Sequence, residues 1–369
     1  CRRWGGGDTQ TPWERHPERE EEWKSVKTML QEDRVDEAVE LLLEGLDQHG
    51  AYPLHHARMA DIHMAVGEFE QAAKAAGAGL VAMGSDEEYG DKPAAKLRLR
   101  LLDTRAEALD RAGEIAAAVE VYEEALRQNR GDSGRLGRYG FALQRVGRLE
   151  ESEGVFESCI AGSSDKDPEP HYGLGLALAG LQRLEQAAEA FVESLNRSEN
   201  YAPSALQAAR CYQMLEQWKK ASKMYSVFLL AAVPYYTKLV VDADVDLDQL
   251  VAEGHLGRAF CMLKEDQAEL GRPDLEAVIS LYDEKAPEHP LRFRAKYYLA
   301  VSYLHAKDYN RAVAYASDCL SSTPNAPPPI LEAYAIRAQA YYQLREETLA
   351  QKDYEAFLRL SSEAGESSV

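Results

Sequence analysis

The chain has 369 residues, of which 45% are hydrophobic and 28% charged, a composition typical of a folded protein rather than a disordered one. Its formal net charge is −20, and the resulting repulsion from phosphates argues against nucleic acid as a partner. No apolar run approaches the roughly 18 residues that a membrane-spanning helix needs, so we expect any membrane association to come from an anchor or a partner.

The first twenty residues, CRRWGGGDTQTPWERHPERE, show no helical period and are rich in Gly, Pro and charge. This composition predicts a flexible tether over 1–20. A tether that starts with Cys resembles the mature N-terminus of bacterial lipoproteins, in which that Cys is acylated. The resemblance implies acyl chains, commonly palmitate, on Cys1. It also places Arg2 and Arg3 among anionic headgroups and Trp4 at the membrane interface.

The residue after the acylated Cys carries sorting information in this family. An Asp at that position retains the lipoprotein in the inner membrane of some bacteria, whereas this chain has Arg2. The resemblance therefore implies an outer-membrane lipoprotein that faces the periplasm, with surface exposure left open. The alternative is that Cys1 is incidental and that the chain is a soluble cytoplasmic protein.

Self-similar stretches follow the tether at intervals of about 34 residues. Each consists of a turn and then a helix with a small residue near its start and, in most cases, an apolar residue eight places later. Examples are GEFEQAAKAAGAGL (67–80), GEIAAAVEVYEEAL (113–126) and GRLEESEGVFESCI (147–160). The small residues are Ala38, Ala72, Ala118, Ser152, Ala187, Ala221, Ala277, Ala312 and Ala350.

A second set of small residues supports this register. They lie twelve places before the first set, where a preceding helix should pack closely: Ala60, Ala106, Gly140, Gly175, Ala209, Ala300 and Ala338. Small side chains let two helix axes approach each other. The period therefore predicts stacked pairs of antiparallel helices.

The stretches HYGLGLALA (171–179) and GHLGRAFCML (254–263) match the first half of a known repeat signature, and AVEVYEEAL (118–126) and AAEAFVESL (187–195) match the second half. The pattern resembles the tetratricopeptide repeat. The resemblance implies an all-α fold, a right-handed α-solenoid of about nine helix pairs. Because this fold hosts many unrelated binding roles, it predicts protein docking without choosing a partner.

Interruptions of the period divide the chain. Extra residues fall at 84–95, 264–273 and 324–329, and the longest irregular stretch separates repeats six and seven. The predicted organisation is a block of about six repeats at 21–229, an irregular acidic insertion or joint at 230–249, a block of about three repeats at 250–360, and a disordered tail at 361–369.

The acidic insertion contains the spacing of a calcium loop. The residues at its positions 1, 3, 5, 7 and 12 are Asp242, Asp244, Asp246, Asp248 and Glu253. Leu247 stands where such a loop needs Gly, and the alternative is an acidic loop that caps a helix. The chain has no nucleotide-binding or hydrolase motif, so we expect no enzymatic activity and no cofactor apart from the lipid. The four cysteines after Cys1 are expected to be buried free thiols.

In tetratricopeptide proteins the first helix of each repeat lines the concave face. Carried over position by position, the resemblance implies these partner-binding residues: Trp23, Phe141, Arg145, Tyr172, Leu176, Leu206, Arg210, Tyr297, Val301 and Tyr342. Aromatic and Arg side chains are the usual interface anchors. Some of these residues should instead pack between helices, so we expect about half to be exposed.

These observations predict a non-enzymatic, membrane-anchored scaffold or adaptor in a bacterial cell envelope. Similar lipoproteins serve as pilotins for secretins, as adaptors for proteases or peptidoglycan hydrolases, or as subunits of motility and secretion machines. The alternatives are a soluble cytoplasmic scaffold without a lipid anchor, and a hydrolase or metal protein whose site lies in an insertion.

Overall fold

A computed structural model describes residues 24–26, 28–29, 32, 34–49, 53–84, 92–129, 132–162, 166–239, 246–283, 285–320 and 331–366. The tether predicted for 1–20, with Cys1, lies outside these residues. The described part is helical and contains no strand. Its helices are α1 (Val35–His49), α2 (Pro53–Ala65), α3 (Phe69–Met83), α4 (Lys92–Arg111), α5 (Ile115–Gln128), α6 (Ser133–Arg145), α7 (Leu149–Gly162), α8 (Glu169–Gly180), α9 (Leu184–Arg197), α10 (Ala202–Met214), α11 (Trp218–Leu239), α12 (Leu247–Lys264), α13 (Arg272–Asp283), α14 (Pro290–His305), α15 (Tyr309–Leu320), α16 (Glu332–Gln343) and α17 (Glu347–Glu366).

The chain forms two compact units, Cys1–Ser163 and Ser164–Val369. The first contains α1–α7 and the second contains α8–α17. Within each unit, a helix packs mainly against the helices that precede and follow it, which is the arrangement of an α-solenoid. The predicted all-α solenoid class is confirmed. None of the described helices has both the length and the apolar character that crossing a membrane requires.

Small side chains set the distance between paired helices. A Cβ atom on Gly140 of α6 would lie 2.7 Å from the ring of Phe156, and one on Gly175 of α8 would lie 2.6 Å from the ring of Phe191. Side-chain carbons do not approach that closely, so a larger residue at either position would push the helices apart. The sequence predicted both glycines as close-packing positions, and their surroundings confirm it.

The predicted small residues near the start of each second helix are buried, with one exception. Those with low exposure are Ala38, Ala72, Ala118, Ser152, Ala187, Ala221, Ala312 and Ala350. Ala277 is exposed, whereas Asp274, Leu275 and Val278 of the same helix are buried. The predicted register was wrong there because the longer turn at 264–273 rotates α13 relative to the regular pattern.

In the eight helix pairs from α2–α3 to α16–α17, the turn inside each pair contains one residue in the left-handed region. These residues are Gly67, Gly113, Gly147, Gln182, Glu216, Asp266, Lys307 and Arg345. The following residue closes the helix: the Asp308 N–H donates to the Tyr303 carbonyl at 2.9 Å, and the Lys307 N–H donates to the Leu304 carbonyl at 3.0 Å. This is the Schellman pattern, which satisfies the last carbonyls of the first helix.

The irregular insertion predicted at 230–249 is largely helical. Helix α11 continues to Leu239 with Pro234 inside it, and α12 begins at Leu247. Residues 240–245 lie outside the described residues. The extension is helical because Ala231 and Ala232 are buried in the second unit's core. The tail predicted as disordered from 361 is also helical as far as Glu366, in α17.

Candidate functional site

A cavity of about 360 Å³ lies in the second unit. Its walls come from α10, α12 and α14, the first helices of three successive pairs. The lining residues are Leu206, Arg210, Gln213 and Met214 on α10, Tyr225 on α11, Glu253, Leu256, Gly257 and Phe260 on α12, and Leu291, Arg294 and Tyr298 on α14. On each first helix the lining residues lie three, four, seven or eight positions after the first of them, which places them on one helical face.

The floor of the cavity is apolar and tightly packed. Tyr225 and Leu256 are buried, and a Cβ on Gly257 would lie only 2.3 Å from the ring of Tyr225. The Tyr225 hydroxyl donates to Oε1 of Gln213 at 2.6 Å. Burial raises the pKa of Tyr225 well above its usual value, so this hydroxyl stays protonated and remains a donor. Gly257 therefore makes the room that the Tyr225 ring occupies.

One wall of the cavity is aromatic. The Phe260 ring lies between Trp218 and Tyr298, with ring centroids 5.7 Å apart in each case. The Lys264 ammonium lies 5.4 Å from the Phe260 centroid, within the range of a cation–π contact. Phe260 and Tyr298 are half-buried. Their neighbours hold the rings in place while part of each ring faces the cavity.

Two arginines stand at the rim. Nη2 of Arg210 lies 2.6 Å from Oε2 of Glu253, and Nε2 of Gln249 donates to the other carboxylate oxygen at 3.1 Å. Arg294 is exposed, and within the described part of the chain it forms no ion pair. The lining thus carries two guanidinium groups against one carboxylate, in a protein whose net charge is −20.

The predicted partner-binding residues are scattered. Of the nine that are described, three are exposed, Leu206 is buried and the other five are half-buried. The exposed ones are Arg145, Arg210 and Tyr342. Trp23 lies outside the described residues. Leu206 and Arg210 line the cavity.

In the first unit, Phe141 packs edge-on against Phe156 with centroids 5.0 Å apart, and Arg145 pairs with Asp110. In the second unit, Tyr172 packs against Phe191 and Tyr201, with centroids 5.8 and 5.5 Å away. These contacts identify the aromatic residues as packing elements between helices.

The remaining predicted residues lie beside the cavity or elsewhere in the second unit. Leu176 packs against the core around α8 and α9. Tyr297 and Val301 lie on α14, whose Arg294 and Tyr298 line the cavity instead. Tyr342 lies on α16 and is 66% exposed.

The repeat pattern did not predict four of the lining residues, namely Met214, Phe260, Arg294 and Tyr298. A signal for them was present, because Leu291, Arg294 and Tyr298 recur at helical spacing, as do Glu253, Leu256, Gly257 and Phe260. The partner-binding residues were predicted from their position within the repeat. None was predicted on α12, because the long turn at 264–273 breaks the period there.

The described members of the predicted calcium loop have other partners. Asp246 caps α12 by accepting from the Gln249 N–H at 3.0 Å, Asp248 pairs with Lys285 at 2.7 Å, and Glu253 pairs with Arg210. Asp242 and Asp244 lie outside the described residues. Within the described ranges, no group of three or more His, Cys, Asp or Glu side chains could hold a metal ion.

The four described cysteines are buried thiols that form no disulfide among the described residues, as the sequence predicted. Burial raises the pKa of Cys211 to about 11 and that of Cys261 to about 12. The same effect raises the pKa of Cys319 to about 12. Thiols with such pKa values stay protonated at neutral pH and are poor nucleophiles.

Comparisons with known proteins point to one repeat family. A family model described as tetratricopeptide repeat matches residues 263–327. No curated protein sequence matches the chain.

Among solved structures, the C-terminal part of a TPR repeat-containing protein from Cytophaga hutchinsonii is similar, at 16% identity and a TM-score of 0.54, covering 71% of this chain and 96% of that one. A tetratricopeptide repeat protein from Parabacteroides merdae is 15% identical, with a TM-score of 0.47 over 78% of this chain and 98% of that one. PilF of Pseudomonas aeruginosa is 17% identical, with a TM-score of 0.46 over 64% and 94% of the two chains.

The family-model match lies within the second unit, and the Cytophaga likeness agrees with the all-α fold. At such low identity the solved structure is evidence for the fold alone.

Proposed function

We propose that the chain, whose helix pairs resemble tetratricopeptide repeats, is a non-enzymatic scaffold that docks other proteins. We also propose that its second unit binds a peptide segment of a partner in the cavity between α10, α12 and α14. The observation that carries this proposal is the cavity itself. It combines an apolar floor, a preorganised aromatic wall and a cationic rim on the face where Arg294 has no carboxylate partner in the described chain.

The chemistry of the lining specifies the peptide. An apolar side chain gains free energy by leaving water for the contact with Phe260 and Tyr298. A carboxylate on the peptide can accept two parallel hydrogen bonds from the guanidinium of Arg294. The rest of the chain has an acidic surface, which does not favour binding of a peptide carboxylate. The expected ligand is therefore a segment that carries an apolar anchor next to an acidic residue.

A random peptide library displayed on phage and panned on the full chain tests the proposal. We expect enriched sequences with an aromatic or aliphatic residue beside Asp or Glu, and we expect Arg294→Glu to weaken their binding by at least about 10-fold, within the range of anchor residues. Lys219→Glu, on the exposed surface of α11, makes the same change in net charge outside the cavity and serves as the matched control.

Isothermal titration of a selected peptide against the three proteins gives the comparison. Equal affinity for the parent chain and Arg294→Glu would reject the cavity as the docking site. Equal losses in Arg294→Glu and Lys219→Glu would mean that overall charge, rather than this rim, governs binding.

We further propose that acyl chains on Cys1 tether the scaffold to the outer membrane of a bacterial envelope, facing the periplasm. Support comes from the sequence alone, namely the run CRRWGGG and the composition of residues 1–20. Two buried acyl chains give stable anchoring, whereas one gives only marginal binding. The partners in that setting are proteins of an envelope complex: a secretin, a protease, a hydrolase or a motility or secretion machine.

Intact-mass spectrometry of protein extracted from membranes of the native host tests the tether. The expected mass exceeds that of the polypeptide by a diacylglyceryl group, usually with an added amide-linked acyl chain. Polypeptide with an unmodified Cys1 in the soluble fraction would contradict the tether and support the alternative, a soluble cytoplasmic scaffold with no lipid anchor.

A further inference from the structure

Helix α11 differs in charge from the chain as a whole. Its 22 residues include four lysines and no Asp or Glu, whereas the chain has 62 acidic residues against 42 Lys and Arg. Lys220 and Lys223 are exposed, and neither pairs with a carboxylate in the described part of the chain. Among the described residues, the nearest carboxylates along the sequence are Glu216 before the helix and Asp246 after it. Helix α11 is therefore a cationic segment of an acidic protein.

The exposed side of α11 becomes apolar towards its C-terminal end. Leu230 is 82% exposed and Val233 is 53% exposed, and the neighbouring Pro234 is also exposed. Phe228 and Ala232 of the same helix are buried in the second unit's core. One side of α11 thus holds the helix in the protein, and the apolar side chains of the other side project into solvent.

The lysine and apolar positions share one side of the helix. At 3.6 residues per turn, the spacing places these exposed residues along a single line: Lys223, Leu230, Val233, Pro234 and Thr237. We name this surface the α11 strip. Tyr235 and Tyr236 flank it, half-buried, with ring centroids 5.1 Å apart.

We propose that the α11 strip lies against a membrane surface that carries anionic lipid headgroups. Helices at such surfaces combine apolar side chains, which enter the boundary between headgroups and acyl chains, with lysines that meet the headgroups. Tyrosine is also favoured at this boundary. Projecting side chains such as Leu230 and Val233 need no matching cavity in a fluid lipid layer, whereas a protein partner would have to supply a pocket for them.

The net charge of −20 does not oppose this contact at short range. Charges in physiological salt are screened over about 8 Å, so headgroups at the strip interact mainly with the lysines of α11. The contact is separate from peptide docking, because no residue of the strip lines the cavity. It is also separate from the tether, because it does not involve Cys1.

Vesicle co-sedimentation of the full chain carrying Cys1→Ser, which cannot be acylated, tests the proposal apart from the tether. The vesicles consist of phosphatidylcholine alone or with about 30% phosphatidylglycerol, which supplies the anionic surface. We expect binding to the anionic vesicles that weakens as salt is added. Binding to phosphatidylcholine alone should be at least about 10-fold weaker, because the lysines then meet no net charge.

Substitutions at the strip separate its apolar contact from net charge. Leu230→Glu should weaken binding to the anionic vesicles by at least about 10-fold, and Leu230→Ser, which changes no charge, by about 5-fold. Val81→Glu is the matched control, because Val81 is also 82% exposed but lies on α3 of the first unit. It should bind like the parent chain. Circular dichroism should show the same helicity for all three variants, since both positions are exposed.

The outcomes that would overturn the proposal are distinct. Absence of binding to both kinds of vesicle would reject a lipid surface as the occupant and leave the strip to an acidic protein partner. Equal binding by the parent chain and Leu230→Glu would place the lipid contact elsewhere on the protein. Equal losses in Leu230→Glu and Val81→Glu would show that net charge, rather than the α11 strip, governs binding.

Discussion

Asp274 shows how single residues fix the second unit. It is 5% exposed and accepts hydrogen bonds from Nε of Arg258 at 2.7 Å and from Nδ1 of His255 at 2.8 Å. Burial by itself would raise the pKa of this carboxyl, but the hydrogen bonds from Arg258 and His255 outweigh burial and lower it. The ionised carboxylate therefore joins α12 to α13 across the irregular turn.

Removing the cation from this contact should destabilise the protein. Arg258→Leu leaves a buried carboxylate with only His255, and we expect the free energy of unfolding to fall by about 3 kcal/mol. Arg311→Leu, which breaks an exposed pair with Asp308, should cost less than about 1 kcal/mol. Urea denaturation at pH 7 compares the two. Equal losses in both variants would show that the buried pair contributes no more than a surface pair.

The contribution of Asp274 should depend on pH. Its pKa is lower in the folded chain than in the unfolded chain, so its stabilisation is complete above the unfolded value of about 4 and is lost as the pH falls through the folded value. The stability difference between the parent chain and Asp274→Asn should therefore shrink below about pH 4. Denaturation curves at several pH values measure it, and a constant difference from pH 7 downward would contradict this assignment.

Residue-scale features of this kind were not predictable from the sequence. Arg258 and Asp274 belong to helices joined by the turn at 264–273, where the repeat period is broken. Two similar buried pairs join Arg135 to Asp103 and Arg337 to Asp353. Which charged residue of one helix faces which residue of another depends on helix rotation, and the period of small residues does not determine that rotation to within one position.

At the scale of helices and turns, a residue in the left-handed region recurs in the turns between paired helices. Three turns place Gly there, whereas Lys307 adopts a φ of 62°. A side chain at such a φ costs about 1–2 kcal/mol because its Cβ crowds the following carbonyl. Lys307 therefore carries backbone strain that Gly147, at the same place in another turn, does not.

Replacing Lys307 with Gly should stabilise the protein. Relief of the strain outweighs the extra freedom that Gly gives the unfolded chain, and we expect a net gain of about 0.5–1 kcal/mol. Ala306→Gly is the matched control, since Ala306 has a φ of −74°, and it should lose about 0.5–1 kcal/mol. Thermal unfolding monitored by circular dichroism shows whether the unfolding midpoint of each variant lies above or below that of the parent chain. A lower midpoint for Lys307→Gly would show that the turn is not strained.

Most helices could be predicted at this scale, because the spacing of small residues is a direct consequence of helix packing. Predictions failed at 230–239 and 361–366, which extend α11 and α17. Both stretches lack the repeat period. The absence of the period predicted irregular structure there, although the helices continue. In α11 the buried Ala231 and Ala232 supply the packing that supports the extension.

At the scale of the whole molecule, peptide docking is assigned to one surface of the second unit. The cavity between α10, α12 and α14 combines aromatic side chains with a guanidinium group that has no carboxylate partner in the described chain. The sequence indicated a docking scaffold but placed the partner-binding residues along both units, because position within a repeat does not show which side chains a neighbouring helix covers.

Site-specific photocrosslinking tests whether a peptide docks in the cavity. Met214 is 61% exposed at the cavity wall, and replacing it with benzoylphenylalanine places a photoreactive group beside a bound peptide. Leu230, 82% exposed on α11, carries the same group in the control protein. We expect that a peptide selected on the full chain crosslinks to position 214 and not to position 230. Crosslinking at 230 without crosslinking at 214 would contradict it.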